Sequence, residues 1–147
     1  MCVSHLISKR FNKNDIKIGY KIVEEKWGNL ISVNTIYTYC KDDWNIEKTT
    51  GTTACVGSDE RYDVGFHIFT NKKDALKVYL YMPKNYLFKS SLTLYKVEYT
   101  DICTYGKEEF EHYINPREYV TDLLTIVVAK KVRFLEKLLP IDKQTKI

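Results

Sequence analysis

"NPREYVTDLLTIVVAKKVRF", residues 115–134, decides the fold class. Its opening supports a helix. Asn115 is a capping residue, Pro116 is tolerated in a first turn, and Glu118 stands three residues after Asn115. Val120, Leu123, Leu124, Val127 and Val128 then continue at helical spacing. Its second half supports a strand: "TIVVAKKVRF" is rich in β-branched residues, and Val128, Val132 and Phe134 fall at even spacing around Lys130. The two tendencies together predict a short helix over 116–123 and a strand over about 126–135.

Working outward, "YDVGFHIFTNKKDA", residues 62–75, reads as a strand breaking into a helix. Phe66 and Ile68 alternate with His67 and Phe69. Asn71 is a good N-cap with Asp74 three residues on, and a helix over 72–82 places Ala75, Leu76, Tyr79 and Leu80 on one face before Pro83 ends it. "SLTLYKVEY", 91–99, is a strand. Nearer the start, "KIGYKIVE" alternates, "EKWGN" offers a Gly-Asn turn at Gly28 and Asn29, and "LISVNTIYTYC" reads as one further strand. The sum predicts an α+β fold: a single domain over 1–147 with its core at about 16–138. It has a largely antiparallel sheet of five or six strands and one or two helices on one face.

Composition bounds the function class. Hydrophobic residues at 44% and charged residues at 29% fit a globular chain. No apolar run is long enough to span a membrane, and the first residues lack the pattern of a signal peptide, so a cytoplasmic protein is expected. Cys2, Cys40, Cys55 and Cys103 form no close pairs, and His5, His67 and His112 have no metal-ligand spacing. Neither a metal nor another cofactor is expected. Nineteen Lys against four Arg, with only three Ala, indicate an AT-rich coding sequence.

The net charge of +4 equals the excess in residues 130–147. There Lys130, Lys131, Arg133, Lys137, Lys143 and Lys146 oppose Glu136 and Asp142. A basic C-terminal tail of this kind can attract nucleic acid.

The order "GYKIVEE", "YDVGFHIFTNKKDAL", "LTLYKVEY" and "IVVAKKVRFLEKL", spread over roughly residues 18–137, resembles small proteins of phages and large viruses. Those share a Gly-Tyr-Lys opening, a Gly-Phe-His-x-Phe strand, a helix containing Asp-Ala and a closing basic strand. The resemblance implies a phage or viral origin and a fold, and the function expected with them is that of an accessory protein that inhibits or sequesters a host or defence component. Some such proteins look like degenerate ADP-ribosyltransferase folds, and by that likeness His67 would bond a nicotinamide ribose. Glu109 or Glu111 would polarise a ribose hydroxyl, and Ser32 would be the middle polar residue.

Two function classes follow. The favoured one is non-catalytic binding of a host protein or a nucleotide signal. Twelve tyrosines supply the contact area, with Tyr37, Tyr39 and Trp44 in one segment and Tyr79, Tyr81 and Tyr86 in another. Lys130, Lys131 and Arg133 would serve if the partner is nucleic acid. The alternative is a nucleotide-handling enzyme built on His67, for which no second catalytic residue stands at a recognisable spacing. Cys55, twelve residues before His67, lacks the electropositive setting of an activated thiol.

Overall fold

A computed structural model describes residues 3–7, 11–32, 37–55, 57, 60–81 and 92–139. The elements, in chain order, are β1 (His5–Ile7), β2 (Lys17–Lys26), β3 (Asn29–Ile31), β4 (Thr38–Tyr39), β5 (Asn45–Ile46), β6 (Thr52–Ala54), β7 (Arg61–Asp63), β8 (Phe66–Phe69), α1 (Lys72–Tyr81), β9 (Leu92–Asn115) and β10 (Glu118–Leu139). Strand takes 65% of the described residues and helix 9%. The expected α+β fold is therefore corrected to a nearly all-β one, with an eight-stranded antiparallel sheet and one helix among the described residues.

The correction comes from residues 115–134. No helix forms at 116–123; β10 runs unbroken from Glu118 and pairs with β9 along almost its whole length. Asn115-Pro116 opens a hairpin turn instead of a helix. Asn115 Oδ1 accepts the Arg117 N–H at 2.9 Å, and Asn115 Nδ2 donates to Glu118 Oε2 at 3.2 Å. An Asn side chain that caps a helix serves equally well to close a turn on its own backbone. The long cross-strand pairing, with its β-branched contacts, then outweighs the helical stripe.

"LISVNTIYTYC" is also corrected. It is not one strand: β3 and β4 pair antiparallel, Leu30 opposite Tyr39, and the Ser32 N–H donates to Tyr37 O at 2.9 Å. The Asn71 cap stands where it was expected, its Oδ1 accepting the Asp74 N–H at 2.8 Å. The helix buries Ala75 and Val78, however, and Leu80 points outward. Pro83 and Tyr86 lie outside the described residues.

The sheet order is β1-β9-β10-β8-β2-β3-β4, and β9 also pairs with β2. The sheet thus curls until β8 meets β2 at Tyr20 opposite Phe69, closing a ring of β9, β10, β8 and β2. One face of the ring carries Val23, Ile68, Val97, Tyr99, Val127 and Phe134. The other, with Ile22, Phe69, Leu94, Ile126 and Val128, is covered by α1 through Ala75 and Val78. Near Asp101 and Lys130 the alternation slips on both strands: Ala129 and Val132 share a core face, as do Tyr99 and Ile102. Asp101 has φ 56°, its carboxylate pairs with Lys13 at 3.2 Å, and Cys103 is bulged out of the pairing. Such a corner bends a long hairpin so that it can close.

Closure demands a glycine. A Cβ at Gly19 would lie 2.5 Å from Ile68 Cγ2 and 2.9 Å from Phe69 O. Gly19→Ala is expected to destabilise the fold by about 1–3 kcal/mol, as overpacking does. Phe66→Ala, which empties the same core face two residues before Ile68 on β8, should cost about 3–5 kcal/mol. Urea denaturation midpoints check both, and an unchanged midpoint for Gly19→Ala would show that β8 and β2 do not meet.

Candidate functional site

His67 stands on β8 opposite Val128. Its Nε2 lies 3.3 Å from the Tyr62 hydroxyl, and the two rings meet edge to face at 5.9 Å. That hydroxyl accepts the Val3 N–H at 3.2 Å. The ring and the hydroxyl thus share one hydrogen bond, whose direction follows the tautomer of His67. Burial, with Lys21 adding to it, drives the His67 pKa down to about 3. Lys21 is itself buried; its Nζ donates to His67 O at 2.8 Å and sits 5.6 Å from the Tyr39 ring centroid. His67 is a neutral ring held in place.

The residues that the transferase likeness would join to His67 are not brought to it. Register places Glu109 opposite Leu123 and Glu111 opposite Thr121. Leu123 and Thr121 face away from Leu124, Ile126 and Val128, so both glutamates lie on the opposite side of the sheet from the His67 ring. Ser32 is in the β3–β4 connection. Cys55 is buried, and burial together with Glu60 raises its thiol pKa.

The expected binding tyrosines are mostly internal. Tyr39 is buried, with its ring 5.8 Å from Phe66 and 5.1 Å from Phe134, and the half-buried Tyr37 packs on Phe66 at 5.4 Å. They form an aromatic core, not an exposed face. Trp44 is half-buried beneath the Arg133 guanidinium, 5.0 Å above its ring. Tyr79 donates to Leu92 O at 3.4 Å. The basic residues of β10 are engaged as well. Lys130 bonds Thr49 O and Val64 O, Arg133 bonds Glu98, and Lys137 pairs with Glu25 at 2.8 Å. Lys131 is half-buried opposite Ile46, and Lys143 and Lys146 lie outside the described residues.

What sequence reasoning missed is the outer half of the β9–β10 hairpin. Beyond Lys107 and Thr125 it is a two-stranded ribbon with two unlike faces. The even-numbered face of β9 packs beneath α1. There the His112 ring is stacked between Phe110 at 4.7 Å and Tyr81 at 5.0 Å. His112 Nε2 bonds Asp122 Oδ2 at 2.6 Å, and Lys77 reaches Asp122 Oδ1 at 3.3 Å. His112 and Lys77 hold the Asp122 carboxyl below its usual pKa. Asp74 Oδ2 accepts the Thr125 N–H at 3.0 Å. These bonds clamp the helix to the ribbon. His112 Nδ1 is buried with no hydrogen-bond partner among the described residues, whereas the Asp122 carboxylate is partly exposed.

The other face is open. Glu109, Glu111, Tyr113, Tyr119, Thr121 and Leu123 are all exposed. Tyr113 is 63% exposed, Leu123 55% and Tyr119 51%. The Tyr113 and Tyr119 rings pair across the strands at 4.9 Å, and the Tyr119 hydroxyl bonds Glu111, which lifts its pKa to about 12. The cation nearest this face along β9, Lys107, donates to Thr125 Oγ1 at 3.2 Å. Seeing this face needs the register of the whole hairpin; the cue in the sequence was the alternation of Glu109, Glu111 and Tyr113 with Phe110 and His112.

No family model, no curated protein and no solved structure matches this chain. Among the described residues no helix is long and apolar enough to cross a membrane.

Two buried groups set opposite pH dependences. Glu108 is buried with Oε2 unpartnered among the described residues, and burial raises its pKa to about 7. Between about 4.5 and 7 the folded chain keeps a proton that the unfolded chain releases. Its contribution is full at low pH and is lost as pH rises through 7. For His67 the unfolded chain binds the proton between about 6.5 and 3 while the folded chain refuses it. Stability therefore falls as pH drops through that window. Glu108→Gln is expected to be more stable than wild type by on the order of a few kcal/mol at about pH 8, and unchanged at about pH 4. His67→Gln should fold and lose less stability than wild type on acidification to about pH 4. Chemical denaturation at the two pH values checks both. A His67 resonance titrating near its ordinary pKa in NMR would sink the assignment.

Proposed function

We propose that this protein acts by binding, as an accessory protein of the phage and large-virus kind it resembles, and that the open face of the β9–β10 ribbon receives a host or defence protein. The observation that carries this reading is the unlikeness of the two ribbon faces. One is clamped beneath α1; the other presents Tyr113, Tyr119 and Leu123 to solvent. Large aromatic and aliphatic side chains grouped on an exposed face characterise an interaction surface, whereas singly scattered ones do not.

Glu109 and Glu111 give the same face negative charge, and its border lysine is already bonded. The complementary partner therefore offers a basic surface with apolar residues among the cations. An acidic face repels nucleic acid, and Arg133 and Lys137 of β10 are paired with carboxylates. Catalysis is the weaker reading because Glu109 and Glu111 stand on the opposite side of the sheet from His67, and His112 and Asp122 are taken up in the clamp between the ribbon and α1.

The test compares wild type with a Tyr113→Ala, Tyr119→Ala, Leu123→Lys triple variant. These side chains are exposed, so stability should change by only about 0.5 kcal/mol for each substitution. Proteins retained from host lysate by wild type, and released by raised salt, are expected to be lost from the variant. Identical retained proteins from a folded variant would exclude this face.

A further inference from the structure

The hairpin between β2 and β3 turns on two residues, Trp27 and Gly28. Their φ angles are 50° and 79°, and Lys26 stands opposite Asn29. Two left-handed central residues make the turn type that suits a tight hairpin, and its favoured pair is Asn-Gly or Asp-Gly. Gly28 fits this preference. Trp27 does not: a bulky side chain in the left-handed region is strained, because its Cβ crowds the following carbonyl. Nor does the fold gain packing in return, since Trp27 is 93% exposed. Strain and exposure are independent observations, and both single out a residue kept for something other than folding.

We infer that Trp27 is an anchor that inserts into a concave apolar pocket on a partner protein. The shape is convex, one large ring on a rigid two-residue turn, so little conformational freedom is lost on docking. The charges around it argue against a polyanion. Lys26 pairs with Glu24 at 2.9 Å, and Lys41 and Lys137 share the Glu25 carboxylate at 3.3 and 2.8 Å, so three cations meet two carboxylates and only one positive charge is left over where a polyanion site gathers several. Phosphate backbones and anionic headgroups are held by positive charge that is not already matched. A protein pocket needs none. A tryptophan in a desolvated pocket with polar groups around its rim is a common form of energetic hot spot, and the indole N–H would donate to an acceptor in the pocket wall.

This contact is separate from the ribbon face. The β2–β3 hairpin lies by the start of β9, where Glu24 is opposite Leu92, whereas Tyr113 stands near the end of that 24-residue strand. The two proposals therefore fail separately.

The deciding variant is Trp27→Asn, which installs the preferred turn pair. It is expected to melt at the same temperature as wild type or higher, and to lose binding at least tenfold. Proteins retained from host lysate by wild type but not by Trp27→Asn are identified, purified and titrated into a Trp44→Phe protein, in which Trp27 is the sole tryptophan. A blue shift of its emission on binding, together with unchanged affinity loss in the Trp27→Asn comparison, supports the anchor. A lower melting temperature for Trp27→Asn would make Trp27 structural and overturn the proposal. So would recovery of no protein that separates the two chains. The same emission shift with anionic phosphatidylserine vesicles, with a single-stranded oligonucleotide, or with increasing concentration of the protein alone would assign the contact to a membrane, a nucleic acid or a second copy instead.

Discussion

The register between β9 and β10 is the constraint on which the molecule depends. Pairing runs from Leu94 opposite Leu139 to Asn115 opposite Glu118. At its inner half β9 also pairs with β2, and β10 with β8, so the central backbone is bonded on both edges and the sheet closes. At its outer half β1 stops at Lys107 and β8 at Ile126. The same two strands thus form a core wall at one end and a projecting ribbon at the other. A shift of one residue would exchange the faces throughout, sending Val127 outward and Tyr119 beneath the helix.

That register survives a corner. At Asp101 and Lys130 the inward face changes parity on both strands together, and each side of the corner is held from elsewhere in the chain. Lys13 O accepts the Ile102 N–H and Lys13 Nζ pairs with Asp101, while Lys130 reaches carbonyls of Thr49 and Val64. Lys130, Arg133 and Lys137 of β10 thereby fasten strands and loops.

The interior also contains groups that resist their usual ionisation. His67 is kept neutral between Tyr62 and the sheet, and Glu108 is buried with one oxygen unpartnered among the described residues. Each opposes ionisation because burial removes water from the charged form. The buried cation Lys21 is tolerated through one carbonyl and one aromatic face. Among the described residues none of these groups assembles with a second reactive residue.

Local chemistry was legible in the sequence. The Asn71 cap, the helix after it, the burial of Phe66 and Ile68, and the placing of His67 on the face opposite them all follow from spacing within a few residues. The pairing of distant segments was not. Asn115-Pro116 reads as a helix start because capping and turn closure use the same side-chain bond. Only the partner strand at 92–115 shows that the chain turns back. Tyr37 and Tyr39 read as a surface because alternation places both on one face without saying which face is covered. Phe66 and Phe134, far away in the chain, cover it. Trp27 lay unremarked in "EKWGN" because a residue's φ and its exposure are properties of the closed hairpin. The sequence by itself determined the alternation and the capping, which are short-range; tertiary structure decided which faces meet, because that depends on contacts between strands distant in the chain.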